Sequence, residues 1–283
     1  MKSILVTGAN GQLGVALRNI SDSYAGFEFF YTDIDTLDIC DKELTDAFVK
    51  LIHPDVIINC AAYTAVDKAE DDILLCLRIN RNALFNIGEA AVSVGAKVIH
   101  ISTDYVFDGC ETRPYLEDDA TNPTSVYGLS KLAGEQALMS ECSDYVIIRT
   151  AWLYSEIGSN FVKTMLRLGA ERDTLGVVAD QQGTPTYAGD LAEAIMKVLM
   201  AEQFVPGIYH YTNEGVCTWY DFAVKIFELT GIQCVVKPLT TAGYPTRAKR
   251  PAYSVLDKSK IKSIYGIKIP EWENGLERCL KQG

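Results

Sequence analysis

The first strand of this chain runs directly into a glycine-rich turn. Ser3 to Thr7 is a short apolar run, followed without a spacer by Thr7-Gly8-Ala9-Asn10-Gly11-Gln12-Leu13-Gly14. Leu13, Ala16, Leu17 and Ile20 then recur at helical spacing. Strand, tight turn and helix in that order point to a crossover unit of a parallel sheet, because two parallel strands cannot be joined by a hairpin. In this setting Gly8 permits the turn, a side chain at Gly11 would block an approaching phosphate, and Gly14 lets the helix pack close to the strand. Gln12 and Leu13 open the helix, whose free N–H groups suit the pyrophosphate of a dinucleotide.

The pattern repeats downstream. A second strand is expected near Phe27 to Thr32, and a helix capped by Asp41 runs through Ile52. Val56 to Asn59 and Lys97 to Ser102 read as strands buried on both faces, separated by a broken helical stretch from Val66 to Val94. Ser125 to Ser140 reads as a long helix and Tyr145 to Thr150 as the next strand. The fold expected is α/β, a Rossmann-type doubly wound parallel sheet with a smaller C-terminal substrate-binding region. Residues 1–150 would form the dinucleotide-binding domain, with part of 185–206 returning to it, and 151–184 with 207–283 the substrate-binding region. Helices are expected over Asn160 to Leu168, Asp190 to Met200 and Trp219 to Leu229, with a strand over Gly176 to Ala179.

Charge narrows the range of partners. Twenty-six Lys and Arg against 37 Asp and Glu give a formal charge of −11, whose average field repels nucleic acid and anionic membranes. No apolar run reaches the roughly 18–20 residues of a membrane span, and no leader is apparent, so a cytoplasmic protein is expected. The eight cysteines include no C-x-x-C pair, and the three histidines, His53, His100 and His210, are far apart, so no metal site is expected.

Three side chains carry the chemistry. Tyr127 and Lys131, at i and i+4 near the start of a helix, share one face. A free phenol titrates near ~10, too high for efficient proton exchange at neutral pH, and an adjacent ammonium stabilises its anion. Thr103 ends a strand where open sheets place their ligands, and its hydroxyl could donate to a substrate carbonyl. Ser102 competes for that role, since strand alternation points only one of the two into the site. Asp33, after the second strand, stands where an acid would bind the adenosine ribose and repel a 2′-phosphate, favouring NADH slightly over NADPH. Arg247, Lys249 and Arg250 cluster in an acidic chain and are candidates for binding a diphosphate.

With these residues assembled, the chain resembles the extended short-chain dehydrogenases/reductases, and within them the dTDP-4-dehydrorhamnose reductases. The resemblance rests on the glycine turn, on the stretch from Pro54 to Glu70 containing Asn59-Cys60-Ala61-Ala62-Tyr63-Thr64, and on Ser102-Thr103-Asp104-Tyr105-Val106-Phe107-Asp108-Gly109. It continues through Tyr127 to Glu135, Arg149-Thr150-Ala151-Trp152, Asn160-Phe161, Asp180 to Thr186 and Arg250-Pro251, covering nearly the whole chain. It implies that Gly11, Gln12 and Leu13 contact the pyrophosphate, Asp33 the ribose, and Asp38 with Ile39 the adenine region. Ala62, Tyr63 and Thr64 would line the cofactor site further along. Tyr127 would donate the proton, Lys131 would support it and bind the nicotinamide ribose, and Thr103, Asp104 and Trp152 would meet a dTDP-linked 4-keto sugar. Some members form metal-bridged dimers through an acid in the first helix. Val15 to Asn19 contains none, so the metal is not carried over and a homodimer is left open.

Other functions share parts of this pattern. A sugar-nucleotide dehydratase needs an acid pair after the threonine, whereas here Asp104 is followed by Tyr105. An epimerase, or a catalytically silent regulator similar to the regulatory subunit of methionine adenosyltransferase, would keep the same nucleotide fold.

Overall fold

The structure, a computed structural model, describes residues 1–282. Strand β1 (Lys2–Thr7) leads through the glycine turn to helix α1 (Gln12–Ser21), then β2 (Phe27–Thr32), α2 (Lys42–Ile52) and β3 (Val56–Asn59). Asp41 caps α2 by accepting from Leu44 N–H at 3.0 Å. The helical stretch after β3 breaks into α3 (Val66–Ala69), α4 (Ile73–Leu77), a π-helical turn at Arg78–Asn82, and α5 (Ala83–Val94). Next come β4 (Lys97–Thr103), α6 (Val126–Glu141) and β5 (Tyr145–Thr150).

These strands lie in one six-stranded sheet whose order places β1 between β3 and β2, with β4 and β5 beyond β3. Every pair is parallel, and Ile4, Leu5, Val6, Ile57 and Ile58 are at most 1% exposed, as a sheet covered on both faces requires. Leu84, Ile87 and Leu138 from α5 and α6 fill one face, beside Val49 of α2. Leu13 and Leu17 of α1 lie on the other.

The chain then leaves the sheet for β6 (Leu153–Tyr154), α7 (Phe161–Glu171), β7 (Thr174–Val178), β8 (Gln182–Gly183) and β9 (Thr186–Tyr187). It returns through α8 (Ala188–Met200), whose Leu191 and Ile195 pack beside α1, and β10 (Gly207–His210), the sixth strand. The boundary expected at residue 207 is thereby corrected. Gly207 to His210 pair with Val146 to Arg149 of β5, because the short Ile-Tyr-His run buries Tyr209 and His210 completely. The remaining elements are β11 (Cys217–Thr218), α9 (Trp219–Thr230), β12 (Val235–Leu239), α10 (Ser259–Tyr265) and α11 (Trp272–Gln282). Of these α10 also joins the large domain, burying Ile261 beside Tyr209. A second core of Tyr154, Val162, Phe222, Ile226 and Leu276 holds the smaller region. Among the described residues no helix is long and apolar enough to cross a membrane.

Candidate active site

A cleft of two adjoining cavities, about 430 and about 640 Å³, follows the C-terminal edge of the sheet, and both are lined by Gly8, Asn10, Gly11, Cys60 and Ala62. Gly8 has φ +66°, and a Cβ there would stand 2.5 Å from Ala61 N, so the turn and the neighbouring loop both exclude a side chain. At Gly14 a Cβ would stand 2.5 Å from Ala9 Cα, whereas at Gly11 it would meet only Gly8 O, at 3.2 Å, and project toward the cleft. Gly11 is the N-cap of α1, no side chain caps it, and the first turn carries no acid. The helix start is therefore an uncompensated row of N–H donors with room in front of it, which fits a dinucleotide pyrophosphate.

The smaller cavity takes in Asp33, Asp38 and Ile39. One Asp33 oxygen accepts from Asn10 N–H at 2.8 Å and the other from Ile34 N–H at 2.8 Å, fixing the carboxylate beside the glycine turn. Asp38 instead pairs with Arg78 at 3.1 Å. Ala62 and Thr64 line the larger cavity, but Tyr63 lines neither: its hydroxyl reaches Asp72 at 3.0 Å, away from the cleft. The π-helical turn explains the placement of this loop. It presents Asn80, which accepts from Tyr63 N–H at 2.8 Å and donates to Tyr63 O at 3.0 Å and Ser130 Oγ at 2.9 Å.

Gln12, Leu13, Thr103, Asp104, Tyr127, Lys131 and Trp152 all line the larger cavity. The structure separates the two hydroxyls that strand alternation left in competition. Ser102 donates to Glu135 at 2.5 Å, and Glu135 forms a buried pair with Arg149 at 2.7 Å, so Thr103 is the hydroxyl left to the site. Thr103 donates to Asp104 Oδ1 at 3.0 Å, while Asp104 Oδ2 is buried without a partner. Burial pushes the Asp104 carboxyl up to about 7, against hydrogen bonds that pull it down.

Ser125 caps α6 by accepting from Gly128 N–H at 3.1 Å, which places Tyr127 in the first turn and Lys131 one turn on. Burial drives the Tyr127 phenol up, with Asp104, Tyr105 and Cys76 adding to the rise and the Thr103 hydroxyl opposing it. Burial pushes Lys131 down to about 8, opposed by Glu135, Cys76 and Cys60. Its Nζ donates to Ile101 O at 2.6 Å.

The two basic candidates are held by acids. Arg247 pairs with Asp71 and Arg250 with Asp67, each at 2.6 Å; neither is among the residues lining the cleft, although Arg250 neighbours Tyr105, which is. Their proximity to α3 depends on a contact across some 180 residues that no local pattern announces. Conversely, no local sequence pattern marks Trp219 as a site residue. It begins α9 and stacks on Trp152 at 3.5 Å and 11° across the cleft wall. The Gln12 carboxamide also reaches out of the glycine turn, accepting from Asn160 Nδ2 at 2.8 Å and Ser155 Oγ at 3.1 Å of the smaller region.

The sequence model of the RmlD substrate binding domain matches residues 1–283. A dTDP-4-dehydrorhamnose reductase of Aggregatibacter actinomycetemcomitans is 43% identical over 98% of both chains. This chain belongs to the dTDP-4-dehydrorhamnose reductase family. The fold agrees with that of solved members. A dTDP-4-dehydrorhamnose reductase from Clostridium acetobutylicum superposes with TM-score 0.95 at 45% identity over 99% of each chain. One from Bacillus anthracis, solved with NADP, also gives 0.95, at 41% identity over the full length of both. The family thus accounts for the sheet, the glycine turn and the smaller region together.

Proposed function

We propose that the chain reduces the 4-keto group of dTDP-6-deoxy-L-lyxo-4-hexulose to dTDP-L-rhamnose, the last step of dTDP-rhamnose formation, using NADH or NADPH. The observation that carries this reading is the convergence of Thr103, Tyr127 and Lys131 on a cleft that begins at the uncapped start of α1. Gly8, Gly11, Gln12, Leu13 and Gly14 would hold the pyrophosphate, Asp33 the adenosine ribose, and Ile39, Ala62 and Thr64 the walls between. Asp33 is a hydrogen-bond acceptor of fixed orientation, which suits a ribose hydroxyl better than a phosphate and gives NADH a modest advantage.

When bound, the reduced nicotinamide supplies the hydride that adds to C4 of the sugar. The protein supplies the proton. Tyr127, kept protonated by burial, gives its O–H hydrogen to the carbonyl oxygen as the C–O double bond becomes an alcohol. Lys131, one turn below, stabilises the phenolate left behind. Thr103 orients the carbonyl, and Asp104, whose Oδ1 accepts from the Thr103 hydroxyl at 3.0 Å, holds that hydroxyl in place. Trp152 and Trp219 form an apolar wall for the sugar nucleotide.

The preceding enzymes of the pathway can supply the unstable keto sugar in a coupled reaction, with loss of NADH or NADPH absorbance followed in parallel. Stoichiometric oxidation of either cofactor and appearance of dTDP-L-rhamnose are expected. No oxidation with either would sink the proposal, and interconversion of sugars without net cofactor consumption would make the protein an epimerase.

A further inference from the structure

Beneath Tyr127 and Lys131 runs a row of buried polar groups that the reduction does not use directly. Thr7, ending β1, donates its hydroxyl to Asn59 Oδ1 at 2.6 Å, and Ala61 N–H donates to the same oxygen at 3.2 Å. The Ala61 N–H can only donate, so the atom it meets is the amide oxygen and the Asn59 amide has one orientation. Its Nδ2 therefore faces His100 Nδ1, 3.1 Å away. His100 is 0% exposed, and burial together with the neighbouring Lys131 keeps its imidazole neutral. A neutral ring that accepts at Nδ1 carries its proton on Nε2. That Nε2 lies 3.3 Å from Lys131 Nζ, which itself donates to Ile101 O. An N–H is thus aimed at a nitrogen that can accept it only as the neutral amine.

We propose that His100 is a positioning residue of the reaction: fixed by Thr7 and Asn59 with Nε2 protonated, it directs its N–H at Lys131 and weakens the hold of Lys131 on its proton. Resting on the reading that Tyr127 protonates a carbonyl, this makes Lys131 a proton source as well as a charge. The Lys131 N–H bond breaks as the Tyr127 O–H bond is restored. The amine so formed accepts from His100, and a proton from water later returns the ammonium. The other groups around Lys131 are Tyr127 and Glu135 on α6, Cys76 on α4 and Cys60 after β3. The last three favour the ammonium and burial opposes it; the His100 N–H, 3.3 Å from Nζ, would act in the same sense as burial.

The tautomer and the lysine are both read by NMR on the enzyme without substrate, so absence of turnover would overturn the reduction and leave these readouts standing. The chain has three histidines, which keeps the imidazole ¹⁵N spectrum tractable. In the wild type His100 is expected with Nε2 protonated and Nδ1 bare; the opposite tautomer would overturn the proposal whatever any variant does. The ε-¹³C resonance of Lys131 gives its titration. In Asn59→Asp the carboxylate accepts from Nδ1–H and turns a bare Nε2 toward Nζ, and in His100→Gln a neutral carboxamide oxygen can face it. In both, the Lys131 titration should rise by about one pH unit or more. The pH profile of kcat should move with it, while KM for the sugar changes by less than about threefold. An unchanged Lys131 titration in either folded variant would reduce His100 to packing.

Discussion

Burial drives the Tyr127 phenol and the Asp104 carboxyl the same way, toward the protonated form, and for the carboxyl this has a consequence for stability. Asp104 binds its proton more tightly folded than unfolded, with the folded value raised from 3.8 to about 7. Between those two values the native state holds the extra proton, so stability falls as pH rises through this window and the full penalty stands above it. Asp104→Asn should therefore raise Tm more at pH 8 than at pH 5 relative to wild type, and scanning calorimetry at the two pH values would show it. Equal gains at both would mean that the carboxyl is not the source. Tyr127→Phe removes the phenolic O–H proposed as proton donor without opening a cavity. A fall in kcat of about 10²- to 10⁴-fold is expected, with dinucleotide affinity within a few-fold of wild type by fluorescence titration. Asp33→Ser should move the NADH to NADPH ratio of kcat/KM toward NADPH by about tenfold or more, as loss of one like-charge contact predicts.

At this scale the sequence was legible where chemistry and spacing coincide in one segment. Tyr127 and Lys131 share a helical face wherever the helix packs, and the glycines declare their turn. Tyr63 and Arg250 sit in equally recognisable segments, yet their side chains go to Asp72 and Asp67, partners chosen by packing between elements. Trp219 reads locally as the first residue of an amphipathic helix, and its stacking partner is 67 residues away in sequence.

Among the elements, α6 carries the most constraint, because it delivers both Tyr127 and Lys131 to the cleft. It approaches the π-helical turn so closely that a Cβ on Gly134 would stand 2.0 Å from Asn80 O. Gly134→Ala must push α6 away from that carbonyl, a strain of about 1–3 kcal/mol, and should lower kcat as well as Tm since Lys131 lies one turn before it. Retained kcat with a lowered Tm would show that the helix yields elsewhere. On its other side α6 is held to β5 by the Glu135 and Arg149 pair, each at most 2% exposed. Arg149→Met would leave a buried carboxylate without its cation, a loss of about 3–5 kcal/mol measurable by urea unfolding. Elements with strong periodicity, such as α2 and α9, could be read from the sequence to within a few residues, and α6 from its Ser125 cap and the residues that follow it. The short strand β10 could not be assigned to its sheet, since four buried residues carry no mark of which neighbour they will pair with.

For the molecule as a whole, the path of the chain matters more than any one strand. It leaves the large sheet after β5, returns through α8 and β10, leaves again for β11, α9 and β12, returns in α10 and ends in α11 of the smaller region, so five covalent connections join the two regions before any contact is made. Gln12 adds a non-covalent link, from the glycine turn to Asn160 and Ser155. Occupancy of the dinucleotide end should thus be felt in the smaller region, and Asn160→Ala should weaken that link while removing the cap of α7 at about 1 kcal/mol. Amide hydrogen exchange of α7, slowed by NADPH in the wild type and less so in the variant, is the expected result. The pair of indoles across the cleft offers an optical counterpart. Trp152, held at φ +50°, and Trp219 lie 3.5 Å apart with nearly parallel rings, two of only three tryptophans in the chain. Chromophores at that separation share their excitations, so the near-ultraviolet circular dichroism should carry a coupled signature of this one wall, and a sugar nucleotide that shifts either ring would rewrite it without any label being attached.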